Sequence, residues 1–138
     1  MNRKEAIQVL AILKAAYPNQ FKGMTTEEAQ GTISVWSMQF ASIPADIVLM
    51  ALNKHISTNK YPPTVADIHE KLTAIYWEAH GKAYPLGENI TVPKEEQQYY
   101  ERICTATESY RYKDRAELTI EQLAVGNNVK QLSEGVKE

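Results

Sequence analysis

The sequence predicts an all-α protein: a small four-helix N-terminal bundle, followed by a linker and a weakly structured, partly helical C-terminal tail. Three observations predict it. Between residues 2 and 81 apolar residues recur every three or four positions in four stretches, three of which open on a capping box. No stretch there alternates apolar and polar residues with enriched β-branched residues, the pattern of a half-buried strand. Residues 82–93, KAYPLGENITVP, hold two prolines, a glycine and an asparagine, the composition of a connector.

Asn2 caps the first helix with Glu5 three positions on. Ala6, Ile7, Leu10, Leu13 and Tyr17 then follow at helical spacing until Pro18. Thr25 and Glu28 repeat the box, and Ala29, Ile33, Trp36 and Phe40 step along one face to about Ala41. Pro44 suits the first turn of a third helix, where no backbone N–H is needed. Ile47, Val48, Ala51, Leu52, His55 and Ile56 form its buried stripe, and the polar run Ser57-Thr58-Asn59-Lys60 ends it. Pro62 and Pro63 hold the next connector extended, Thr64 caps with Asp67, and Ile68, Leu72, Ile75, Tyr76 and Ala79 carry the fourth helix to Gly81. In so small a bundle Trp36, Phe40, Leu52, Leu72 and Trp77 are expected to be the side chains that matter most.

The domain boundary is expected at the linker: a bundle domain over 1–81, the linker over 82–93, a candidate additional helix over 94–114 and a flexible, conditionally helical tail over 115–138. Lys94 to about Tyr112 has Glu95 and Glu96 near the positive end of the helix dipole and Arg111, Lys113 and Arg115 near the negative end. Its apolar stripe is thin: Tyr100, Ile103, Thr107, Tyr110. Thr119 can cap one further short pattern before Gly126-Asn127-Asn128. Helical pieces this short are marginal alone in water, so they are expected to order only against a surface. Charge divides at the same place, with eight Lys/Arg and seven Asp/Glu in residues 1–83 against seven and ten in 84–138.

Composition also narrows function. The 138 residues carry 15 Lys/Arg and 17 Asp/Glu, net -2, which excludes a large multi-domain enzyme and is unlike the basic domains that grip phosphates. No apolar run approaches the roughly 20 residues of a membrane-spanning helix, so no membrane crossing is expected. Glu5, Gln8 and Lys14 interrupt the N-terminal apolar stretch, which reads as a helix and not a signal peptide. Cys104 is the single cysteine, which excludes an internal disulfide, suits a reducing cytoplasm and reads as a packing residue. The glycines never form a phosphate-cradling loop, so neither ATP hydrolysis nor a nucleotide cofactor is expected. His55, His69 and His80 lack metal-ligand spacing, the last two lying roughly 16 Å apart along one helix. Glu27-Glu28 and Glu95-Glu96 stand in first turns, where carboxylates complement the dipole. No catalytic, cofactor or metal residue is assigned, and the protein is not expected to be an enzyme.

Two groups of residues remain as candidate binding sites. Leu118, Ile120, Leu123, Val125, Val129 and Leu132 are apolar positions that a merely solvating tail would not need; a ligand lying in a partner's groove would use them as anchors, and the alternative is that they pack back on the bundle. Tyr110-Arg111-Tyr112-Lys113-Asp114-Arg115 sets aromatic rings beside cations, the means by which single strands are stacked and neutralised. With one acid in the run and an acidic chain overall, any direct DNA contact is expected to be weak and local. The plainer reading is a helix C-terminus carrying favourable charge.

The order of residues in KAAYPNQF, TTEEAQGTISVWSMQF and IVLMALNKHISTNKYPPTVADIHEKL resembles the helicase loader and inhibitor proteins of phages and prophages of Gram-positive bacteria. The resemblance covers about residues 1–80, and its most specific part is the proline-braced entry into a capped helix from Lys60 to Ile68. It implies a non-enzymatic DNA-replication accessory protein in the bacterial cytoplasm. Such a protein binds the hexameric replicative helicase, restrains its ATPase and unwinding activities, and delivers it to a phage origin through a replisome-organiser protein. It also implies that the C-terminal part holds the helicase, a duty that here falls on Ile120, Leu123, Val129 and Leu132. The rival reading is a small helical nucleic-acid-binding replication or regulatory protein using Tyr110 to Arg115.

Overall fold

The computed structural model describes residues 1–87 and 90–111. They form five helices, α1 (Arg3–Ala16), α2 (Thr26–Gln39), α3 (Ala45–Ile56), α4 (Val65–Ala83) and α5 (Lys94–Ala106), and a single 3-10 turn, Glu108–Tyr110. No strand occurs among the described residues, and the expected count of four helices rises to five.

Each of the three capping boxes closes. The side chains of Asn2, Thr25 and Thr64 accept the backbone N–H three residues on, and Glu5, Glu28 and Asp67 accept the cap's own N–H at 2.9 Å. Helix ends differ from expectation where side chains decide them. Pro44 stands at the cap position and α3 begins with Ala45. α4 passes Gly81 and ends at Ala83, whose carbonyl accepts the Gln97 side-chain amide at 3.0 Å. A glycine in a helix costs about 1 kcal/mol and does not end it when the next turn is packed and satisfied. α5 stops at Ala106, short of the expected Tyr112, because the buried Thr107 hydroxyl donates back to the Ile103 carbonyl at 2.7 Å and the chain tightens into the 3-10 turn.

α1 packs chiefly on α2, α3 on α4 and α4 on α5. Leu10, Leu13, Trp36, Phe40, Ile47, Leu52, Ile68, Leu72 and Tyr76 share one hydrophobic cluster with Ile103, Cys104 and Tyr110. The segment after the linker therefore adds its thin stripe to the core of the first four helices. Trp77 corrects the expected core list, being 44% exposed with its ring edge-on to buried Tyr76 at 5.1 Å. Neighbouring helical residues diverge by about 100°, so a core on one side of α4 encloses one of the two rings and not both.

The α1–α2 connection turns at Gly23, whose φ of 79° is the left-handed region that a side chain disfavours. The Met1 α-amino group donates to the Phe40 and Ala41 carbonyls, at the end of α2 where the helix dipole favours a cation. No helix among the described residues is long and apolar enough to cross a membrane.

Candidate functional site

The described chain ends one residue after Tyr110, and three elements meet there. His69, on α4 next to buried Ile68, places Nδ1 2.8 Å from the Tyr110 hydroxyl and Nε2 3.1 Å from Oε1 of Gln39, the last residue of α2. A carboxamide oxygen only accepts, so Nε2 carries the proton. In the neutral ring Nδ1 then accepts from the Tyr110 hydroxyl. The imidazole also stacks, tilted, between Phe40 at 4.9 Å and Tyr110 at 5.6 Å. Burial pushes the Tyr110 phenol pKa up to about 12, so it remains a protonated donor at neutral pH.

This junction takes in part of the aromatic-basic run. Tyr110 is 6% exposed, so its ring is enclosed by the core and not presented to solvent for stacking. Arg111 Nη1 lies 3.8 Å from the Glu108 carboxylate. Tyr112, Lys113 and Arg115 lie outside the described residues, as do Leu118, Ile120, Leu123, Val125, Val129 and Leu132.

The other chemistry-bearing side chains are built into the scaffold. His55 is buried, and its Nε2 meets the Tyr61 carbonyl at 2.9 Å, which ties the proline-braced connector to α3. Burial raises the Cys104 thiol pKa, with the Glu108 and Glu101 carboxylates adding to the rise, which disfavours the reactive thiolate. His80 lies between the rings of Trp77, at 5.8 Å, and Tyr84, at 5.1 Å. Among the described residues no group of three or more His, Cys, Asp or Glu side chains is placed to hold a metal ion.

A surface that the sequence reading did not single out lies along α2. Phe21, Met24, Gly31, Thr32, Val35 and Trp36 line a groove of about 770 Å³ between the α1–α2 connection and the outer side of α2. A Cβ placed at Gly31 would meet no atom within 4 Å, so the groove is open there. Val35 is 47% and Met38 71% exposed. The available signal was phase: Val35 and Met38 fall outside the buried stripe of Ile33, Trp36 and Phe40, so α2 carries apolar residues on a second side.

An enclosed all-α core, flanked by an open groove that both apolar (Phe21, Met24, Val35) and polar (Gln20, Lys22, Glu28) side chains line, defines a small helical module. A family model for the N-terminal domain of the phage helicase loader/inhibitor gp39P matches residues 1–69, and the chain belongs to that family. The match covers half of the chain and ends at His69, inside α4. No curated protein and no solved structure matches the chain.

Proposed function

We propose that the protein binds a hexameric replicative helicase, restrains its ATPase and unwinding activities, and passes it to a phage origin through a replisome-organiser protein in the cytoplasm of a bacterial host. Membership of the loader/inhibitor family over residues 1–69 is the observation that carries this reading. The apolar positions Leu118, Ile120, Leu123, Val125, Val129 and Leu132 supply the anchors of a segment that seats in a partner's groove, leaving the bundle's surface for the organiser. With no phosphate-cradling motif in its sequence, the chain works through binding energy and competition between partners. Ordering the C-terminal segment on the helicase costs entropy, lowers net affinity and keeps the complex reversible.

The test mixes the purified full-length chain with the replicative helicases of host and phage and reads complex mass by size exclusion with light scattering. The wild type is expected to form a complex. Leu123→Asp with Leu132→Asp is expected to weaken it at least about tenfold, since each change puts a charge where an apolar anchor should be desolvated. Undiminished binding by the double variant would remove the C-terminal segment from the interface. Failure of the wild type to bind either helicase would remove the helicase reading itself.

A further inference from the structure

We infer that the groove along α2 is a seat for the chain's own segment beyond Arg111, centred on residues 118–125, and that a partner grasping this segment must first lift it off the bundle. The docking rests on geometry alone, and only its competition with the helicase rests on the function proposed above.

The place where the segment departs carries the argument. Tyr110 is held 2.8 Å from His69, which is in turn 3.1 Å from Gln39, so the described residues end beside the C-terminal end of α2. Gln39 is four positions beyond Val35 and seven beyond Thr32, which puts it on the helical strip that lines the groove, about 10 Å along the axis from Thr32. The last described residues thus lie about one helical turn beyond the Val35 end of the groove. The chemistry matches as well. Phe21, Met24 and Val35 present apolar surface with Lys22 and Glu28 in the same lining, and residues 118–125, LTIEQLAV, bring Leu118, Ile120, Leu123 and Val125 with Glu121 among them. Leu118 follows Arg111 by seven residues, a tether that extends to about 23 Å and spans the distance with slack. A tether this short raises the local concentration of the segment to the millimolar range, so even an intrinsically feeble contact is populated.

The test uses the full chain with the photo-reactive residue p-benzoylphenylalanine in place of solvent-exposed Val35, as an equal mixture of ¹⁵N-labelled and unlabelled copies. After irradiation and digestion, mass spectrometry is expected to find position 35 joined to residues 116–126 of the same copy. Cross-links that join labelled to unlabelled peptides as often as like to like would make the groove a contact between two molecules. Absence of any link to that segment would leave the groove without this occupant. Either result overturns the proposal.

A second measurement reads the competition. Val35→Asp, at an exposed position that lines the groove and checked for an unchanged circular dichroism spectrum, frees the segment. If it is seated nine-tenths of the time, helicase affinity rises about tenfold, because apparent affinity scales with the competent fraction. Unchanged affinity overturns the competition. A helicase that binds neither form while the intramolecular cross-link persists strikes the proposed function and leaves the docking intact.

Discussion

Replacing Ile103 by alanine tests whether α5 belongs to one cooperative unit with the helices before the linker. Ile103 is buried in the cluster that holds Leu72, Ile75 and Ala79 of α4. It also edges a cavity of about 190 Å³ between α3, α4 and α5, which Met50 and Tyr100 share. Truncating a buried isoleucine to alanine costs about 2–5 kcal/mol, and neighbours beside an existing cavity have room to relax, so about 2–3 kcal/mol is expected. With a urea dependence of about 1–1.5 kcal/mol per molar for a domain of this size, the midpoint falls by roughly 2 M. The thermal midpoint falls by about 10–20 °C. The assay is urea unfolding followed by tryptophan fluorescence, because Trp36 on α2 and Trp77 on α4 both precede the linker. A shift at those reporters means that a residue after the linker stabilises helices before it. A tryptophan transition that stays in place, while far-ultraviolet circular dichroism shows a separate earlier step, would refute the single-core reasoning and make α5 a satellite.

The two tryptophans themselves should behave differently. Trp36→Ala is expected to cost about 3–5 kcal/mol, whereas Trp77→Ala, at a position 44% exposed, should cost less than half of that; the opposite order of urea midpoints would contradict the packing described. In base, burial holds the Tyr110 phenol pKa up to about 12 and lifts those of Tyr17 and Tyr76 above their ordinary value. The folded state keeps these protons longer than the unfolded chain does, so the stability they contribute is complete below a pH of about 10 and is lost as pH rises above it, through about 12 for Tyr110. Urea midpoints should therefore drop between pH 10 and 12, with a smaller drop in Tyr110→Phe; a midpoint constant across that window would show that the phenols are not enclosed.

The helices were legible because their signals are short-ranged. Asn2 with Glu5, Thr25 with Glu28 and Thr64 with Asp67 are partners three positions apart, so each box forms once its first turn does, whatever packs nearby. The stripe of Ile103, Thr107 and Tyr110 was visible too, and all three are buried. Its destination was not visible, because a thin stripe is buried only if a complementary surface exists, and that surface is assembled by α3 and α4. The groove was missed for a related reason. α1 is the principal neighbour of α2, so the side of α2 bearing Val35 is left open, and nothing in residues 26–39 states how many neighbours that helix will have.

Local chemistry thus settles which residues become helix, where most helices begin and that the chain is all-α, since capping and periodicity act within a turn or two. Packing alone settles the rest. It brings Gln39 and Tyr110, 30 and 41 positions from His69, onto one imidazole, turns Trp77 outward beside buried Tyr76, and leaves the Val35 side of α2 open. Burial and long-range hydrogen bonds depend on which neighbour fills each space. That neighbour comes from the arrangement of all five helices together, and no window of sequence contains it.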